Sequence, residues 1–584
     1  MKTPFRAHLY DWFPVLRWAR GYGRESFTGD FTAAAIVTLL LIPQSLAYAL
    51  LAGMPAVTGL YASMLPLVVY ALMGSSHVLA VGPAALRSIM SAAAVGAVVT
   101  VGGASFIAAS AVLALLVGTL LLLMGALRMG FVSGFLSHPV LSGFISASGI
   151  LIIGSQLQHL LGLPLQGHDM VTLLAQVANQ LSAVHGLTLA VGGVAMLALL
   201  SIRFHLKRLL MTIGLRAPQA DLLTKAAPLL LLVLSIVLTS WLGWDKQGLA
   251  VVGHIPSGLP TLDLSPLASD WWPLVKALFL PALLISLVSF VESVSVAQTF
   301  ASRRRERVDP NAEMRGLGAA SFAAGLTGGF SIGASFSRTV VAADGGARTA
   351  AWGIYTALML AATALFFTPY LRNLPLAVLA ATIVVAVYSL VDVPSFKRVW
   401  RYSKVDFTAQ ALTFAVTLLI DLVTGLVVGV LVSLVLHLWR SSRPHIAIVG
   451  RVPGTEHYRN VHRHEVETHP EILGLRVDES LYFANARFLE DQVAALVALN
   501  PAVKHVVLQC TAVNDIDASA LESLGTIVQR LREAGVQLHL SEVKGPVMDR
   551  LKRSDFLDHL TGQLFFTHHQ AVTTLSAPAA PPEA

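Results

Sequence analysis

The 584-residue chain has little cysteine and little charge. Its single cysteine, Cys510, ends the apolar run Val-Val-Leu-Gln-Cys, which is typical of a buried strand. One cysteine excludes an internal disulfide framework, and a buried thiol is not expected to carry redox chemistry. Charged residues make up only 12% of the chain and hydrophobic residues 55%, so the composition excludes a protein that is soluble throughout its length.

The sequence also lacks the patterns of a catalytic or metal site. We find no nucleophile–base pair, and no regular ligand spacing relates the histidines His457, His462, His464 and His469. We therefore predict no enzyme activity, no metal and no cofactor. The net charge of +7 lies largely in short loops beside apolar segments, which indicates membrane topology and not nucleic-acid binding.

Apolar runs of about 20 residues, the length that crosses a bilayer, recur along the chain. Lysine and arginine gather on the cytoplasmic side, so the arginines before Asp30 place the N-terminus inside. Every later basic cluster except Arg372 then follows a crossing that runs inward. The pattern predicts a mainly α-helical polytopic membrane protein with both termini in the cytoplasm and about fourteen crossings, two of them half-helices, at residues 30–51, 56–73, 79–99, 105–127, 135–160, 186–202, 225–243, 273–300, 314–328, 334–343, 350–368, 374–391, 405–421 and 423–439.

The composition changes after Arg443, where short apolar strands alternate with helical patterns. These patterns predict a small α/β domain with strands at 446–449, 472–477 and 503–509 and helices at 486–498, 518–532 and 546–552. The chain then divides into a cytoplasmic N-terminal segment (1–28), a transmembrane domain (29–440), a cytoplasmic domain (441–575) and a disordered tail (576–584) rich in alanine and proline.

Two short segments of the transmembrane domain repeat each other. In each, a glycine is followed five residues later by arginine and six residues later by a hydroxyl, in Gly82-Pro83-Ala84-Ala85-Leu86-Arg87-Ser88 and in Gly333-Ala334-Ser335-Phe336-Ser337-Arg338-Thr339. The topology makes the first segment's crossing run outward and the second's inward. The chain therefore resolves into two sets of seven crossings of opposite orientation, and interrupted helices at matching positions of such repeats mark a transporter binding site.

Two helices that begin at these glycines would point their N-terminal ends at one place. Unpaired N–H groups and the positive ends of the helix dipoles would meet there, and an anion would satisfy them. Pro83 suits a first helical turn because it has no N–H group to leave unpaired. Ser335 and Ser337 add hydroxyl donors. Arg338 and Arg87 add charges that are costly in a membrane, which favours a bound anion. The alternatives are a structural ion pair and a guanidinium that snorkels to the membrane interface.

Glu292 is the one carboxylate deep within its apolar segment, residues 278–300. A carboxylate there can respond to a nearby cation by taking up or releasing a proton, which is the logic of proton coupling. A permanent counter-ion for Arg338 or Arg87 is the alternative. Gln44 and Tyr48 lie one helical turn apart on the first crossing and offer an amide and a phenol to the same cavity, or else a bridge between helices.

Four segments of the transmembrane domain carry a resemblance to a known family: Leu41-Ile42-Pro43-Gln44-Ser45-Leu46-Ala47-Tyr48-Ala49, Gly59-Leu60-Tyr61, Val81-Gly82-Pro83 and Ser335-Phe336-Ser337-Arg338-Thr339. They resemble the sulfate permease family, known in animals as solute carrier family 26. Asn514-Asp515-Ile516-Asp517-Ala518-Ser519-Ala520-Leu521 is similar to the STAS domain, named for sulfate transporters and anti-sigma-factor antagonists. The resemblance implies a seven-plus-seven inverted repeat, a core domain (crossings 1–4 and 8–11) that moves against a gate domain (crossings 5–7 and 12–14), and a homodimer.

The same resemblance implies a substrate site. Matching family positions are Gln44, Tyr48, Pro83, Ala84, Ala85, Ser335, Ser337 and Arg338, and the repeated segments add Arg87 and Phe336. Glu292 matches the acidic residue that proton-coupled sulfate transporters of plants and bacteria place on crossing 8. Arg87 departs from the common family pattern and favours a more highly charged anion. Ala518 departs as well, because soluble STAS relatives carry a phosphorylatable serine there, although Ser519 follows.

We therefore expect a secondary active anion transporter of a bacterial inner membrane that takes up sulfate with protons by an elevator-like movement. Alternatives within transport are a C4-dicarboxylate symporter, a bicarbonate symporter that requires sodium, and an uncoupled exchanger or a channel with currents above carrier turnover. From another class, a membrane sensor would recruit partners without substrate flux. The expected partners are the anion, the proton, the lipid bilayer, a second copy of the chain and a cytoplasmic protein on the STAS domain, with no nucleic acid.

Overall fold

The computed structural model describes residues 12–99, 104–134, 137–165, 169–262 and 271–577. The chain forms two compact units that divide between Ser433 and Leu434. Residues 578–584 of the predicted disordered tail lie outside the described part of the chain, as do residues 1–11 of the predicted N-terminal segment.

Helices make up most of the N-terminal unit. In chain order they are α1 (Val15–Trp18), α2 (Arg24–Leu51), α3 (Ala56–Tyr61), α4 (Leu65–Met73), α5 (Ala85–Gly96), α6 (Ala104–Ala126), α7 (His138–Leu161), α8 (Met170–Asn179), α9 (Gly186–Ser201), α10 (Lys207–Thr212), α11 (Ala217–Leu242), α12 (Trp272–Arg304), α13 (Pro310–Leu326), α14 (Phe336–Asp344), α15 (Ala351–Phe366), α16 (Leu376–Val387), α17 (Val393–Tyr402), α18 (Lys404–Leu419) and α19 (Leu422–Ser442), which reaches into the second unit.

The predicted crossings correspond to helical segments of the structure. Among the described residues, nine helices are long and apolar enough to cross a membrane. The remaining five predicted crossings match the shorter helices α5, α13, α14, α15 and α18. α5 has 12 residues and α14 has 9, as expected for half-helices. The predicted series of fourteen crossings, including its two interruptions, is confirmed.

Small residues let two helices of this unit approach closely. A Cβ added at Gly118 on α6 would lie 2.5 Å from the Phe322 backbone nitrogen on α13. One added at Gly318 on α13 would lie 2.7 Å from the Leu122 backbone nitrogen on α6. A larger residue would push the helices apart, because the atoms that it would meet belong to backbone. α12, which carries Glu292, packs against both helices.

A pair of two-residue strands joins the two halves of the N-terminal unit. In β1 (Val81–Gly82) and β2 (Gly333–Ala334), Val81 lies opposite Ala334 and Gly82 opposite Gly333, in antiparallel orientation. The Ser335 N–H extends the contact by donating to the Ala80 carbonyl at 2.9 Å. Each strand leads into a half-helix, β1 into α5 and β2 into α14. The two repeated segments thus meet in opposite directions, as an inverted repeat requires.

The C-terminal unit forms a six-stranded α/β sheet. Its elements are β3 (Ile446–Arg451), β4 (Tyr458–Asn460), β5 (Ile472–Val477), α20 (Ala486–Leu499), β6 (His505–Gln509), α21 (Ala518–Glu533), β7 (Gln537–Ser541), α22 (Gly545–Leu551), α23 (Phe556–His559), β8 (Leu564–Phe565) and α24 (His568–Ser576). The strand order is β4-β3-β5-β6-β7-β8, with β3 antiparallel to its neighbours and β5 to β8 parallel. Cys510 is buried, and burial raises the pKa of its thiol to about 12.

Candidate functional site

The repeated segments meet at the N-terminal ends of α5 and α14. Ala84 is the N-cap of α5 and has extended backbone angles (φ −143°, ψ 144°), without a side-chain capping bond. The sequence predicts that this helix begins at Gly82 and Pro83, but it begins at Ala85, because pairing with β2 keeps β1 extended. Pro83 therefore precedes the helix instead of filling its first turn. The first N–H groups of α5 have no side-chain cap and can bind another acceptor.

Hydroxyl groups surround the start of α14. Ser335 is the N-cap of this helix, and its Oγ accepts a hydrogen bond from the Arg338 N–H at 3.5 Å. The hydroxyl oxygens of Ser335 and Ser337 lie 3.3 Å apart, and Ser337 is exposed. Phe336 is 51% exposed, and its ring centroid lies 5.7 Å from that of Phe300 on α12. The helix thus presents two hydroxyls and an aromatic side chain at its N-terminal end.

Each arginine of the repeated segments lies across the glycine of the other segment. A Cβ added at Gly333 would lie 2.7 Å from Arg87 Nε, and one added at Gly82 would lie 3.6 Å from Arg338 Nη2. Gly82 also has a φ of 153°, which residues with a side chain rarely adopt. Glycine is therefore needed at 333 for space and at 82 for backbone conformation. Arg87 and Arg338 therefore occupy equivalent positions in the two repeated segments.

Arg87 forms an ion pair with Glu292. Its Nη2 contacts the Glu292 Oε2 across the packed helices α5 and α12. The Arg87 side chain is 0% exposed and that of Glu292 is 21% exposed, so the carboxylate is the accessible member of the pair. Of the two counter-ions that the sequence left open for Glu292, the structure pairs it with Arg87 and not with Arg338.

Arg338 contacts an amide instead of a carboxylate. Its Nη1 lies 3.5 Å from Oε1 of Gln44 on α2, and its Nη2 is buried without a hydrogen-bond partner. Tyr48, one turn further along α2, is buried and lies within electrostatic range of Arg338. Buried polar atoms are nearly always hydrogen-bonded in proteins. A buried guanidinium with a free donor is therefore a candidate ligand for an anion.

The structure places the predicted site residues on four parts of the N-terminal unit, in which α2 and α12 each contact both repeated segments. These are α2, the β1–α5 segment, α12 and the β2–α14 segment, which carry Gln44, Tyr48, Pro83, Ala84, Ala85, Arg87, Glu292, Ser335, Phe336, Ser337 and Arg338. The region offers backbone N–H groups, hydroxyls and one guanidinium that is not paired with a carboxylate. Such donors at converging helix N-termini bind anions.

Two further buried carboxylates hold the links beside the half-helices. Glu313 on α13 accepts hydrogen bonds from Tyr70 on α4 and from Ser75 and Ser76 in the link before β1. Asp30 on α2 accepts hydrogen bonds in the link after α14, from Arg348 N–H, Thr349 N–H and the Thr349 hydroxyl. Their role is positional, since their partners are neutral donors. Sequence reasoning missed both, because a carboxylate in an apolar segment does not reveal its partner.

The segment that resembles a STAS motif begins a helix of the C-terminal unit. Asp517 Oδ1 caps α21 by accepting a hydrogen bond from the Ala520 N–H at 2.8 Å. Ala518, which stands where soluble relatives carry a serine, is the first residue of this helix. None of the residues grouped around the half-helices belongs to this unit.

Comparison with known proteins identifies both units. The chain matches the sulfate permease family over residues 27–417 and the STAS domain over residues 463–571. Sulfate transporter 4.1, chloroplastic, of Arabidopsis thaliana is 34% identical over 585 residues, which cover 97% of this chain and 83% of the relative. A probable sulfate transporter of Mycobacterium tuberculosis is 32% identical over 564 residues, which cover 96% of this chain and 97% of the relative.

The fold also has a solved counterpart. The structure of murine solute carrier 26 family member A9, described as an anion transporter in the inward-facing state, matches with a TM-score of 0.88 and 23% identity, over 99% of this chain and 96% of that chain. At this identity the likeness concerns the fold, and it agrees with the predicted inverted repeat of core and gate domains. The family match over most of the chain and the identity to its relatives show that this polytopic membrane protein belongs to the sulfate permease family and carries a C-terminal STAS domain.

Proposed function

We propose that this chain is a secondary active transporter that carries an anion, sulfate before others, together with protons across a bacterial inner membrane. The observation that carries the proposal is the Arg87–Glu292 ion pair beside the converging N-terminal ends of α5 and α14. The names of the two relatives, one a sulfate transporter and the other a probable sulfate transporter, support the choice of substrate.

The anion is held by donors at the two half-helix ends. The uncapped N–H groups of α5, the hydroxyls of Ser335 and Ser337, and the free Nη2 of Arg338 are the proposed ligands. Gln44 orients Arg338 through the contact with its Nη1. The side chains of Pro83, Ala84, Ala85 and Phe336 carry no hydrogen-bond donor and shape the walls of the site. Tyr48 lies at the buried edge of the site, with its ring and its phenol group.

Glu292 is the proposed proton carrier. Its side chain is 21% exposed, which gives a proton access, and it faces an arginine whose charge it neutralises when ionised. The buried carboxylates Asp30 and Glu313 face N–H and O–H donors instead, and these bonds fix the links beside the half-helices. Among these three carboxylates, only Glu292 is therefore placed so that its protonation changes the charge of the anion site.

The positions of the site residues in the fold support a transport mechanism in which the core domain moves. All of them lie on crossings 1, 3, 8 and 10, which belong to the core domain of the family fold. An elevator-like movement of the core against the gate would carry the anion together with its ligands. The proposal includes a homodimer, both termini in the cytoplasm, and a STAS domain available to a cytoplasmic partner.

Uptake by the purified full-length protein in proteoliposomes tests this function. Labelled sulfate, bicarbonate and a C4-dicarboxylate are offered in turn, with and without proton and sodium gradients. We expect acid-stimulated sulfate accumulation in the wild type. Glu292→Gln should lose that stimulation and retain anion exchange, since a neutral amide imitates the protonated carboxyl. Glu25→Gln is the matched control, because its carboxylate is 82% exposed.

Each alternative has its own outcome in this assay. Sodium-dependent bicarbonate uptake, preferred C4-dicarboxylate uptake, or currents above carrier turnover would replace the sulfate–proton symporter by another transport mode. Ligand-dependent recruitment of a protein to the STAS domain without any flux would indicate a sensor. Wild-type pH dependence in Glu292→Gln would show that the coupling group lies elsewhere.

A further inference from the structure

Arg87 carries a buried positive charge and is not one of the proposed ligands of the anion. Its side chain is 0% exposed, and its Nε has no hydrogen-bond partner among the described residues. Its Nη1 lies 3.9 Å from the Met90 sulfur. In the described part of the chain, Glu292 is its one charged partner. The positive charge of Arg87 is therefore cancelled only while Glu292 is ionised.

Arg338 provides the comparison, since it occupies the same place in the other repeated segment. It also lies across a glycine of the opposite segment, and it is also buried, at 1% exposure. Its polar neighbour is the amide of Gln44 and not a carboxylate. With Glu292 ionised, the region thus contains two guanidiniums and one carboxylate, which leaves one net positive charge.

We infer that Arg87 is a specificity-determining residue that sets the number of charges on the anion carried with a proton. The inference rests on the proposed role of Glu292. When a proton binds a carboxylate oxygen of Glu292, the ion pair loses its negative member and Arg87 keeps an uncompensated charge beside the half-helix ends. The site then has two net positive charges and suits a dianion.

Among the described residues, the elements packed against the helix of Glu292 offer no other group that would cancel this change. α6 and the turn at 129–134 carry no titratable residue, and neither does β2. α13 carries Glu313, bonded to Tyr70 and the Ser75–Ser76 link, and Arg315, which donates to the Gly125 carbonyl and lies over the Trp12 ring. α5 carries Arg87 itself. Arg338 and Tyr48 complete the titratable groups of the site.

Two transport modes follow from this charge balance. In the first, a proton on Glu292 and a dianion bind together, and release of both on the other side restores the Arg87–Glu292 pair. In the second, Glu292 stays ionised and a monoanion binds to the single uncompensated charge. Dianion transport is then tied to proton transport, whereas monoanion exchange is not.

The test compares sulfate and chloride, as the dianion and the monoanion, in proteoliposomes that contain the full-length protein. Counterflow of each labelled ion is measured between pH 5.5 and 7.5 for the wild type, Arg87→Met, Arg87→Lys and Arg372→Met. Arg87→Met should lower the sulfate-to-chloride ratio by about tenfold or more, because the site loses one of the two positive charges that balance a dianion, and it should abolish the acid stimulation of sulfate counterflow. Arg87→Lys should keep both properties, because it keeps the charge. Arg372→Met, at an exposed position, should behave as the wild type.

The outcomes separate this inference from the proposed function. A wild type without acid-stimulated sulfate counterflow would overturn proton coupling itself. An acid-stimulated wild type together with an equally stimulated Arg87→Met would overturn only the role of Arg87. Equal loss of sulfate and chloride transport in a folded Arg87→Met would also overturn it, since a structural role lowers both. If Arg87→Met does not fold, the double variant Arg87→Met/Glu292→Gln is used, because it removes both charges together. This variant should show the same preference for chloride. A sulfate preference equal to that of the wild type would refute the inference.

Discussion

Arg338 is a buried arginine without a carboxylate partner among the described residues. Placing an arginine at the centre of a membrane helix costs about 2.5–3.5 kcal/mol on insertion scales. Arg87 offsets this cost through Glu292, but the Nη2 of Arg338 has no partner and its Nη1 has only a 3.5 Å contact with Gln44. A buried donor without a partner carries a desolvation cost, and this cost falls when an anion accepts a hydrogen bond from the donor. Substitution of Arg338 is therefore expected to change the affinity for the anion directly.

Arg338→Gln should weaken anion binding without preventing folding. A hydrogen bond to a charged group contributes about 1.5–3 kcal/mol, so we expect the dissociation constant for sulfate to rise roughly 10- to 100-fold. Titration of the detergent-purified variant with sulfate, followed by calorimetry, measures this constant, and size-exclusion chromatography checks the fold. Arg372→Gln, which removes an exposed arginine of the same unit, is the control. Unchanged affinity in Arg338→Gln would remove this residue from the site.

The paired strands β1 and β2 are the element that fixes the geometry of the site. They align the two repeated segments so that Gly333 leaves room for the Arg87 side chain, whose Nε would lie 2.7 Å from an added Cβ. The atom that would be met is part of a side chain already held by an ion pair with Glu292. A methyl group added at Gly333 would therefore push against Arg87 and disturb its ion pair with Glu292.

Gly333→Ala should displace Arg87 from Glu292 and reduce sulfate transport. Overpacking of this kind typically costs about 1–3 kcal/mol, so we also expect a lower melting temperature. Gly193→Ala on α9 is a matched control, because nothing lies within 4 Å of a Cβ added there. Thermal unfolding and proteoliposome uptake are measured for both. Equal behaviour of the two variants would show that the close contact at Gly333 is not needed.

The sequence predicts the elements of the membrane unit better than it predicts their contacts. Apolar length and the positions of basic residues are local properties, and they gave the crossings and both half-helices. The start of α5 was wrong by about a turn, because pairing of β1 with β2 joins residues that are about 250 positions apart in the chain. The same limit applies to Glu292, whose counter-ion depends on how α5 and α12 pack and not on any local pattern.

The C-terminal unit shows the same division between local and distant information. Strands β3, β5 and β6 and helices α20, α21 and α22 have clear apolar periodicity and are predicted within a few residues. The sequence pattern does not reveal β4 and β8, with 3 and 2 residues, because such short strands are defined by their neighbours in the sheet. β7 is also missed, although Leu538 and Leu540 alternate with polar residues, because it lacks the continuous apolar run that marks β6, which has the same length.

At the scale of the whole molecule, the proposed site residues all lie in the N-terminal unit. Every proposed ligand of the anion and the proposed proton carrier lie before residue 339 in the chain. The C-terminal unit has its own core of buried side chains from β5, β6, β7, α20 and α21. We therefore expect this unit to support folding of the protein, its delivery to the membrane, dimer contacts or partner binding, and not substrate recognition. The exposed face of α21 is the surface that we expect a partner to use.

Truncation after Arg443 should therefore change the amount and rate of transport more than its selectivity. We expect the KM for sulfate and the order of preference among anions to stay within about twofold of the full-length protein, since this range corresponds to less than about 0.5 kcal/mol. The maximum rate per cell should fall, because less transporter reaches the membrane or is active there. Uptake normalised to surface-accessible protein separates these two causes. Full-length Asp517→Ala, which removes the cap of α21 and the hydrogen bond that Asp517 accepts from the Phe483 N–H, tests whether a local change at the start of α21 accounts for the loss. A folded truncated protein that carries a different anion would assign selectivity to the STAS domain and contradict this division of labour.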